Sequence, residues 1–242
     1  MKSVGQLGED GLIARICGDL GEAAHVIVGP GDDCAAVGTG EELVLLKTDA
    51  VVAGVHFLSD EKSTRVGWKA VARVLSDFAA MGGEPGELLI TLALAPEVSV
   101  DWVDGLYRGM NSCLKQHGGV IVGGETTSLP EGTPTMVSVA GKGRVARANL
   151  VTRSSGRPGD DIYVTGRLGG SIHGKHLDFT PRLREAAWLV NNSRITAMMD
   201  LSDGLAKDLP RLAQMSGDGF ELNLDSLLLS EGFPLSAAID DS

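Results

Sequence analysis

The chain has 242 residues, 43% of them hydrophobic, enough for one large or two ordinary domains with a proper core. Only 4% are aromatic, so that core has to be built mostly from Ala, Val, Leu and Ile. A net charge of −11 argues against a nucleic-acid or anionic-membrane surface, because phosphate backbones demand Lys and Arg. It leaves room for nucleotides, which acids bind through Mg²⁺.

In chain order, the apolar run Leu43-Val44-Leu45-Leu46 reads as a strand ending in Lys47-Thr48-Asp49. Val66, Ala70, Val71, Val74, Leu75 and Phe78 have helical spacing, with Asp77 near the edge of the apolar face. A strand follows at 88–95. Val103, Leu106, Tyr107, Met110, Cys113 and Leu114 mark a second helix, with Ser99 as N-cap and Gly118-Gly119 as stop. Residues 119–123 and 134–140 read as strands. The alternation of strand and helix from 43 to 123 implies an α/β or α+β layer structure.

The turn-rich stretch Thr152–Asp160 is the candidate domain boundary, dividing residues 1–150 from 151–242. Beyond it the pattern predicts strand 161–165, a Gly-rich stretch, helix 181–191, strand 195–200, helix 203–216 and strand 219–224. Pro210 should kink or shorten the last helix.

Glycine, at 33 residues, is about twice its average usage and points to many tight turns. Cys17, Cys34 and Cys113 are scattered and form no CxxC pair, so neither a zinc site nor a disulfide framework is expected. The N-terminus lacks an apolar signal region, and no apolar run approaches the roughly 20 residues of a membrane helix. A reduced, cytoplasmic setting is therefore expected.

The chemistry lies in the acids. Asp32 and Asp33 follow Gly29-Pro30-Gly31, Asp49 ends an apolar strand, and Asp77 sits among Val74, Leu75 and Phe78. Glu125 follows Gly123-Gly124, and Asp200 and Asp203 follow another apolar run. Taken singly, each has a bland reading as a turn or helix-end acid. Together, five clusters at strand ends, turns and helix edges suit Mg²⁺, which takes hard oxygen ligands and shares its remaining positions with substrate phosphates.

Gly169-Gly170-Ser171-Ile172-His173-Gly174-Lys175 fits G-x-x-x-x-G-K. The next residue is His176 rather than Ser or Thr, so the match reads as chance. His25, His56, His117, His173 and His176 share no metal-ligand spacing. His117 reads as a helix-end residue, while His56 follows Asp49 closely enough to line the same pocket. No G-x-S-x-G elbow appears, and covalent catalysis has no support.

Several stretches resemble, in order and spacing, the thiamine-monophosphate kinase family. They are Gly31-Asp32-Asp33-Cys34-Ala35, Thr48-Asp49 with Gly54-Val55-His56-Phe57, Gly67-Trp68-Lys69-Ala70, and Leu75-Ser76-Asp77 with Ala80-Met81-Gly82. Gly123-Gly124-Glu125-Thr126-Thr127, the Arg153 loop and Asp200-Leu201-Ser202-Asp203-Gly204-Leu205 continue the pattern, which runs from about residue 5 to about 230. That family belongs with aminoimidazole ribonucleotide synthetase, selenophosphate synthetase and the hydrogenase-maturation dehydratase.

The resemblance implies an N-terminal α/β domain, binding ATP and Mg²⁺, whose sheet pairs with that of a second subunit in a homodimer. It also implies a C-terminal α+β domain that is incomplete relative to the family, and direct phosphoryl transfer from ATP to thiamine monophosphate, giving thiamine diphosphate. Carried over by position, Asp33, Thr48, Asp49, Asp77, Glu125, Asp200 and Asp203 would hold Mg²⁺, with Asp49 and Asp77 central to catalysis. Tyr107, Gly124, Arg153 and Ser202 would contact ATP, and His56 the thiamine substrate.

This chain departs from the family in four places. Lys47 stands where Ser or Thr is usual, Glu125 where Asp is usual, and the 168–180 stretch is altered. The family also continues beyond the position of Ser242 with a Gly-Gly-Glu-Asp segment that helps bind the acceptor. Two other readings therefore stand beside the kinase. One is another ATP-dependent enzyme of the superfamily acting on a different small acceptor. The other is a non-catalytic dimeric nucleotide-binding protein.

Overall fold

Six strands form one open, mixed sheet in the computed structural model, which describes residues 2–21 and 23–233. The strands are β1 (Val26–Val28), β2 (Ala35–Val37), β3 (Glu42–Val52), β4 (Glu84–Leu94), β5 (Val120–Ser128) and β6 (Met136–Ala146). Their order is β1-β2-β3-β6-β4-β5, and every neighbouring pair is antiparallel except β4 and β5. A parallel pair needs a crossover, and the helix Val100–His117 between the two strands supplies it.

Alternation along the strands separates the two faces. Leu43, Leu45 and Val51 of β3, Leu88, Ile90 and Leu92 of β4, and Val137, Val139 and Val145 of β6 are all buried. The helix Ser63–Ala80 lies over this face and buries Val66, Val71, Val74, Leu75 and Phe78 against it. Each large side chain so buried contributes about 1.5–3 kcal/mol. The opposite face is open, and Leu46 and Leu89 remain 45% and 48% exposed on it.

The described helices before and after the sheet are α1 (Val4–Leu7), α2 (Glu9–Cys17), α5 (Lys175–Asp178), α6 (Leu183–Asn192) and α7 (Leu205–Ser216). The two long helices between strands are α3 (Ser63–Ala80) and α4 (Val100–His117). The Ser99 hydroxyl caps α4 by accepting the Trp102 N–H at 3.2 Å, and Gly118 ends it, as the sequence predicts. α3 and α4 touch backbone to backbone. A Cβ on Gly67 would strike the Leu106 carbonyl, and one on Gly109 the Thr64 carbonyl.

The C-terminal third divides its apolar residues between two places. Leu177, Leu183 and Ala186 join the main core beside α3. Arg65 of α3 grips Asp178 through Nε and Nη2 at 2.9 and 2.7 Å, and Trp68 Nε1–H donates to the Phe179 carbonyl at 2.8 Å. A small second cluster holds Leu168, Leu205 and Leu209, with Leu222, Leu227 and Leu229 against it.

Several expectations are corrected. Residues 161–165, 195–200 and 219–224 form no strand. Ile162, Tyr163 and Val164 stay 43%, 87% and 37% exposed, with no neighbouring strand among the described residues to take up their backbone groups. α7 runs through Pro210 to Ser216 without breaking, although the missing N–H forfeits the bond to the Ala206 carbonyl. α1, α2, β1 and β2 were not anticipated. Among the described residues, no helix is long and apolar enough to cross a membrane.

Candidate active site

Three distant segments bring their acids to one point. Asp33 lies in the turn after β1, Asp77 in the last turn of α3, and Asp200 in the segment before α7. One carboxylate oxygen from each lies within 4.8 Å of the others. Asp33 and Asp77 are 2% and 4% exposed, where an ionised carboxylate is costly without a counter-charge. Asp77 Oδ2 is fully buried and accepts no hydrogen bond from the described residues.

The turn that carries Asp33 is held by its neighbour. Asp32 Oδ1 accepts the Asp33 N–H, and its Oδ2 accepts the Arg153 N–H, both at 3.0 Å. Ser216 of α7 anchors the same loop by donating to the Arg153 carbonyl at 2.6 Å. The loop expected as a domain boundary thus closes over the acids and delivers the Arg153 guanidinium to Asp33.

Burial pushes the Asp77 carboxyl up to about 8, with Asp200 adding to the rise and Lys47 opposing it. Burial also raises Asp33 to about 7; the Arg153 hydrogen bond opposes this and Asp200 adds to it. Lys47 Nζ stands 3.1 Å from Asp77 Oδ2, close enough to pair but not aligned as a hydrogen bond. Burial works against the Lys47 ammonium, yet Asp77 and Asp49 outweigh it and hold its pKa above the usual value.

Asp49 shares the helix-facing side of β3 with Lys47 and is gripped by Arg73 of α3. Asp203 is paired with Arg211 at 2.6 Å. Sequence reasoning missed Asp208, which is completely buried. Its Oδ2 accepts the N–H of Ser202 at 2.8 Å and of Asp203 at 2.9 Å, fixing the loop before α7, and its Oδ1 meets Arg211 at 3.2 Å. An acid in the first turn of an amphipathic helix was the available signal.

The structure does not bring all the predicted residues together. Thr48 pairs across to Ala140, and Ala140 to Leu89, placing the Thr48 side chain on the open sheet face. Glu125 lies opposite Thr91 in a row with Ser138 and Ala50 on that same face. Both are exposed, and neither joins the acidic triad. A Cβ on Gly124 would collide with the Ile90 carbonyl, so glycine there is required by the β4–β5 approach itself. Tyr107 is half-buried against the main core, and Ser202 is exposed.

His56 Nδ1 accepts the Val52 N–H at 3.1 Å, which leaves Nε2 to carry the proton of the neutral ring. Its pKa is lowered by burial first, then by Arg73 and Lys69. Lys69 donates to the His56 carbonyl at 2.7 Å, and burial and then Arg73 bring its pKa down to about 8. The Gly169–Lys175 stretch is no phosphate loop, since Lys175 donates to the Arg167 carbonyl at 2.8 Å and only an isolated bridge precedes it. The three thiols are free, and His117 ends α4 with its ring edge-on to Trp68.

Residues 31–145 match the family model described as AIR synthase related protein, N-terminal domain. The thiamine-monophosphate kinase of Rhodopirellula baltica is 35% identical over 232 residues, covering 92% of this chain and 72% of that one. The enzyme of the same name from Salmonella typhimurium is 34% identical over 247 residues, covering 93% and 74%. The chain belongs to the thiamine-monophosphate kinase family. Family membership makes it a phosphotransferase by class. A solved structure described as AaThiL complexed with AMPPCP and TMP superposes with a TM-score of 0.90 at 31% identity, covering 99% of this chain and 84% of that one. The mixed sheet and its helices are therefore the thiamine-monophosphate kinase fold.

Proposed function

We propose that the chain transfers the terminal phosphoryl group of ATP to thiamine monophosphate, with Mg²⁺ as cofactor. The observation that carries this reading is the triad of buried Asp33 and Asp77 with half-buried Asp200, inside a fold shared with a relative that holds an ATP analogue. The triad fits a hard divalent cation. It offers a carboxylate oxygen from each of three acids, two of them buried. Asp49 and Asp203 would complete the set, and a bound Mg²⁺ would neutralise charge on the phosphates.

This chain's own groups do the positioning. Arg153 is carried by a loop anchored at Asp32 and Ser216, so its guanidinium can turn from Asp33 to a phosphate oxygen without the loop moving. His56 presents its Nε2–H, with Lys69 and Arg73 as cations beside it, a combination suited to an anionic acceptor. Phosphoryl transfer needs little else, since catalysis is mostly positioning and charge neutralisation.

In this reading residues 1–150 form the nucleotide-binding and dimerisation domain and residues 151–242 the second, with 177–186 docked on the first. The open sheet face, with Leu46 and Leu89 exposed on it, would be covered by a second copy in a homodimer. A dimeric nucleotide-binding protein without turnover is the second reading. It draws on the pairing of Asp49 with Arg73 and of Asp77 with Lys47, which leaves less charge for a metal. Steady-state assay with ATP, MgCl₂ and thiamine monophosphate separates the two. Formation of thiamine diphosphate supports the kinase, whereas ATP binding without product supports the second reading.

A further inference from the structure

We propose that Lys47 is a resident cation of the acidic centre. Its ammonium takes the place of one divalent ion at Asp77, so the chain holds one fewer metal ion than it would with a neutral residue at this position. The inference rests on the reading of the acids as a metal centre.

Strand alternation aims Lys47 at the helix-covered side, in step with Leu43, Leu45 and Asp49. A lysine in such a row is costly unless an acid meets it. Its Nζ meets Asp77 Oδ2 at 3.1 Å, and that oxygen has no other partner among the described residues. The same carboxylate belongs to the triad whose oxygens lie within 4.8 Å of one another. A divalent ion bound to Asp77 Oδ2 would stand about 2.0–2.1 Å from it, inside the space the ammonium uses. Two cations on one buried oxygen repel at short range through a poorly screening interior. Asp200 and Asp33 each keep an oxygen within 4.8 Å of the other, with Arg153 also at Asp33, and it is these two acids that a metal would use.

Lys47 also acts on the nucleotide. A tethered ammonium is present whether or not metal is added. Part of the charge that a triphosphate meets is therefore neutralised by the chain itself. Nucleotide should retain measurable affinity in EDTA, and that residual affinity should depend on Lys47.

The test is a count of bound Mn²⁺ by electron paramagnetic resonance of the free ion, with a non-hydrolysable ATP analogue present. It compares wild type with Lys47→Met, Lys47→Ser and Lys47→Arg. Lys47→Met keeps the stem and its packing, so a failure of Lys47→Ser to fold does not end the test. The expected result is one additional Mn²⁺ per chain in Lys47→Met and Lys47→Ser, and the wild-type count in Lys47→Arg. Analogue affinity in EDTA should fall about tenfold in Lys47→Met. An unchanged Mn²⁺ count in a folded Lys47→Met overturns the proposal while leaving the metal centre standing. Absence of bound Mn²⁺ in wild type and all variants overturns the metal centre, and the proposal with it.

Discussion

Arg73 grips Asp49 with two parallel bonds, Nε to Oδ2 at 2.8 Å and Nη2 to Oδ1 at 3.0 Å. A helix residue thereby fixes the orientation of a strand carboxylate at the edge of the acidic centre. The pair is one of four, with Lys47–Asp77, Arg153–Asp33 and Arg211–Asp203. Five acids are met by four basic side chains, and Asp200 alone lacks an ion pair among the described residues. Asp32 and Asp208 add to the acids here, and Arg211 is shared with Asp208 and Asp10, so the acids outnumber the bases, and a bound phosphate must compete with carboxylates for the arginines.

Asp49→Asn should abolish most turnover while leaving the fold intact. The amide keeps the shape and one acceptor for Arg73 but loses the charge. The expected cost in stability is about 1 kcal/mol, that of weakening one charge-assisted fork. Relief of repulsion among the acids gives no gain here, because Arg73 already offsets it. Turnover above a tenth of wild type would show that Asp49 is not central.

The acids make stability depend on pH in a definite direction. In the unfolded chain Asp33 and Asp77 release their protons near 3.8, whereas in the fold they keep them until about 7 and about 8. The native state therefore binds more protons between these limits, and stability falls as pH rises through them. Their contribution is fully present below about pH 4 and lost above about pH 8. Thermal melts in EDTA should give a higher Tm at pH 5.5 than at pH 8.5. Added Mg²⁺ should raise Tm at pH 8.5 and do little at pH 5.5, because the ligands must first lose their protons. A Tm in EDTA that rises across this window would contradict the assignment.

Much of the fold was legible because it is written in local pattern. Ser99 and Gly118 fix α4, and the spacing of Val66 to Phe78 fixes α3. The acids stood out because each follows an apolar run or a glycine. The sequence could not tell which sheet face each one serves. Thr48 and Glu125 fell on the open face through the register with β6 and β4, which no local signal carries. The predicted strand at 161–165 failed for a related reason. Tyr163 and its neighbours have strand-like residues but, among the described residues, no strand beside them to pair with. Arg73, Arg211 and Asp208 were missed because a salt bridge is a property of the tertiary fold. The capping box of α1, Ser3 with Gln6, is by contrast a purely local signal.

Asp208 should matter more to stability than any acid of the triad. Replacing it by Ala strips the Ser202 and Asp203 N–H groups of their acceptor and removes one of three acidic partners of Arg211. Loss of these buried bonds should cost about 2–4 kcal/mol in urea melts. Asp208→Asn retains an oxygen for the two N–H groups and should cost about half as much. Because the loop carries Asp203, nucleotide affinity should fall in Asp208→Ala even where the protein remains folded. A Asp208→Ala variant with wild-type midpoint and wild-type affinity would show that the loop is held by other means.

The open sheet face gives the last prediction. Leu89 is 48% exposed near the middle of β4, and Leu46 is 45% exposed on β3, with Ala140 of β6 between the strands. Exposed leucines on two strands flanking β6 of an open sheet, even with Lys142 opposite Leu46, favour a covering partner. A homodimer through this face should have a mass near twice the 25.2 kDa chain by light scattering. Leu89→Asp places a charge at the centre of that face without touching the helix-covered core. It should shift the protein to monomer at micromolar concentration, with little change in the far-ultraviolet circular dichroism of the chain. Tm should drop, since the dimer contributes stability through mass action. Wild type that is monomeric at tens of micromolar, or Leu89→Asp that remains dimeric, would place the interface elsewhere or remove it.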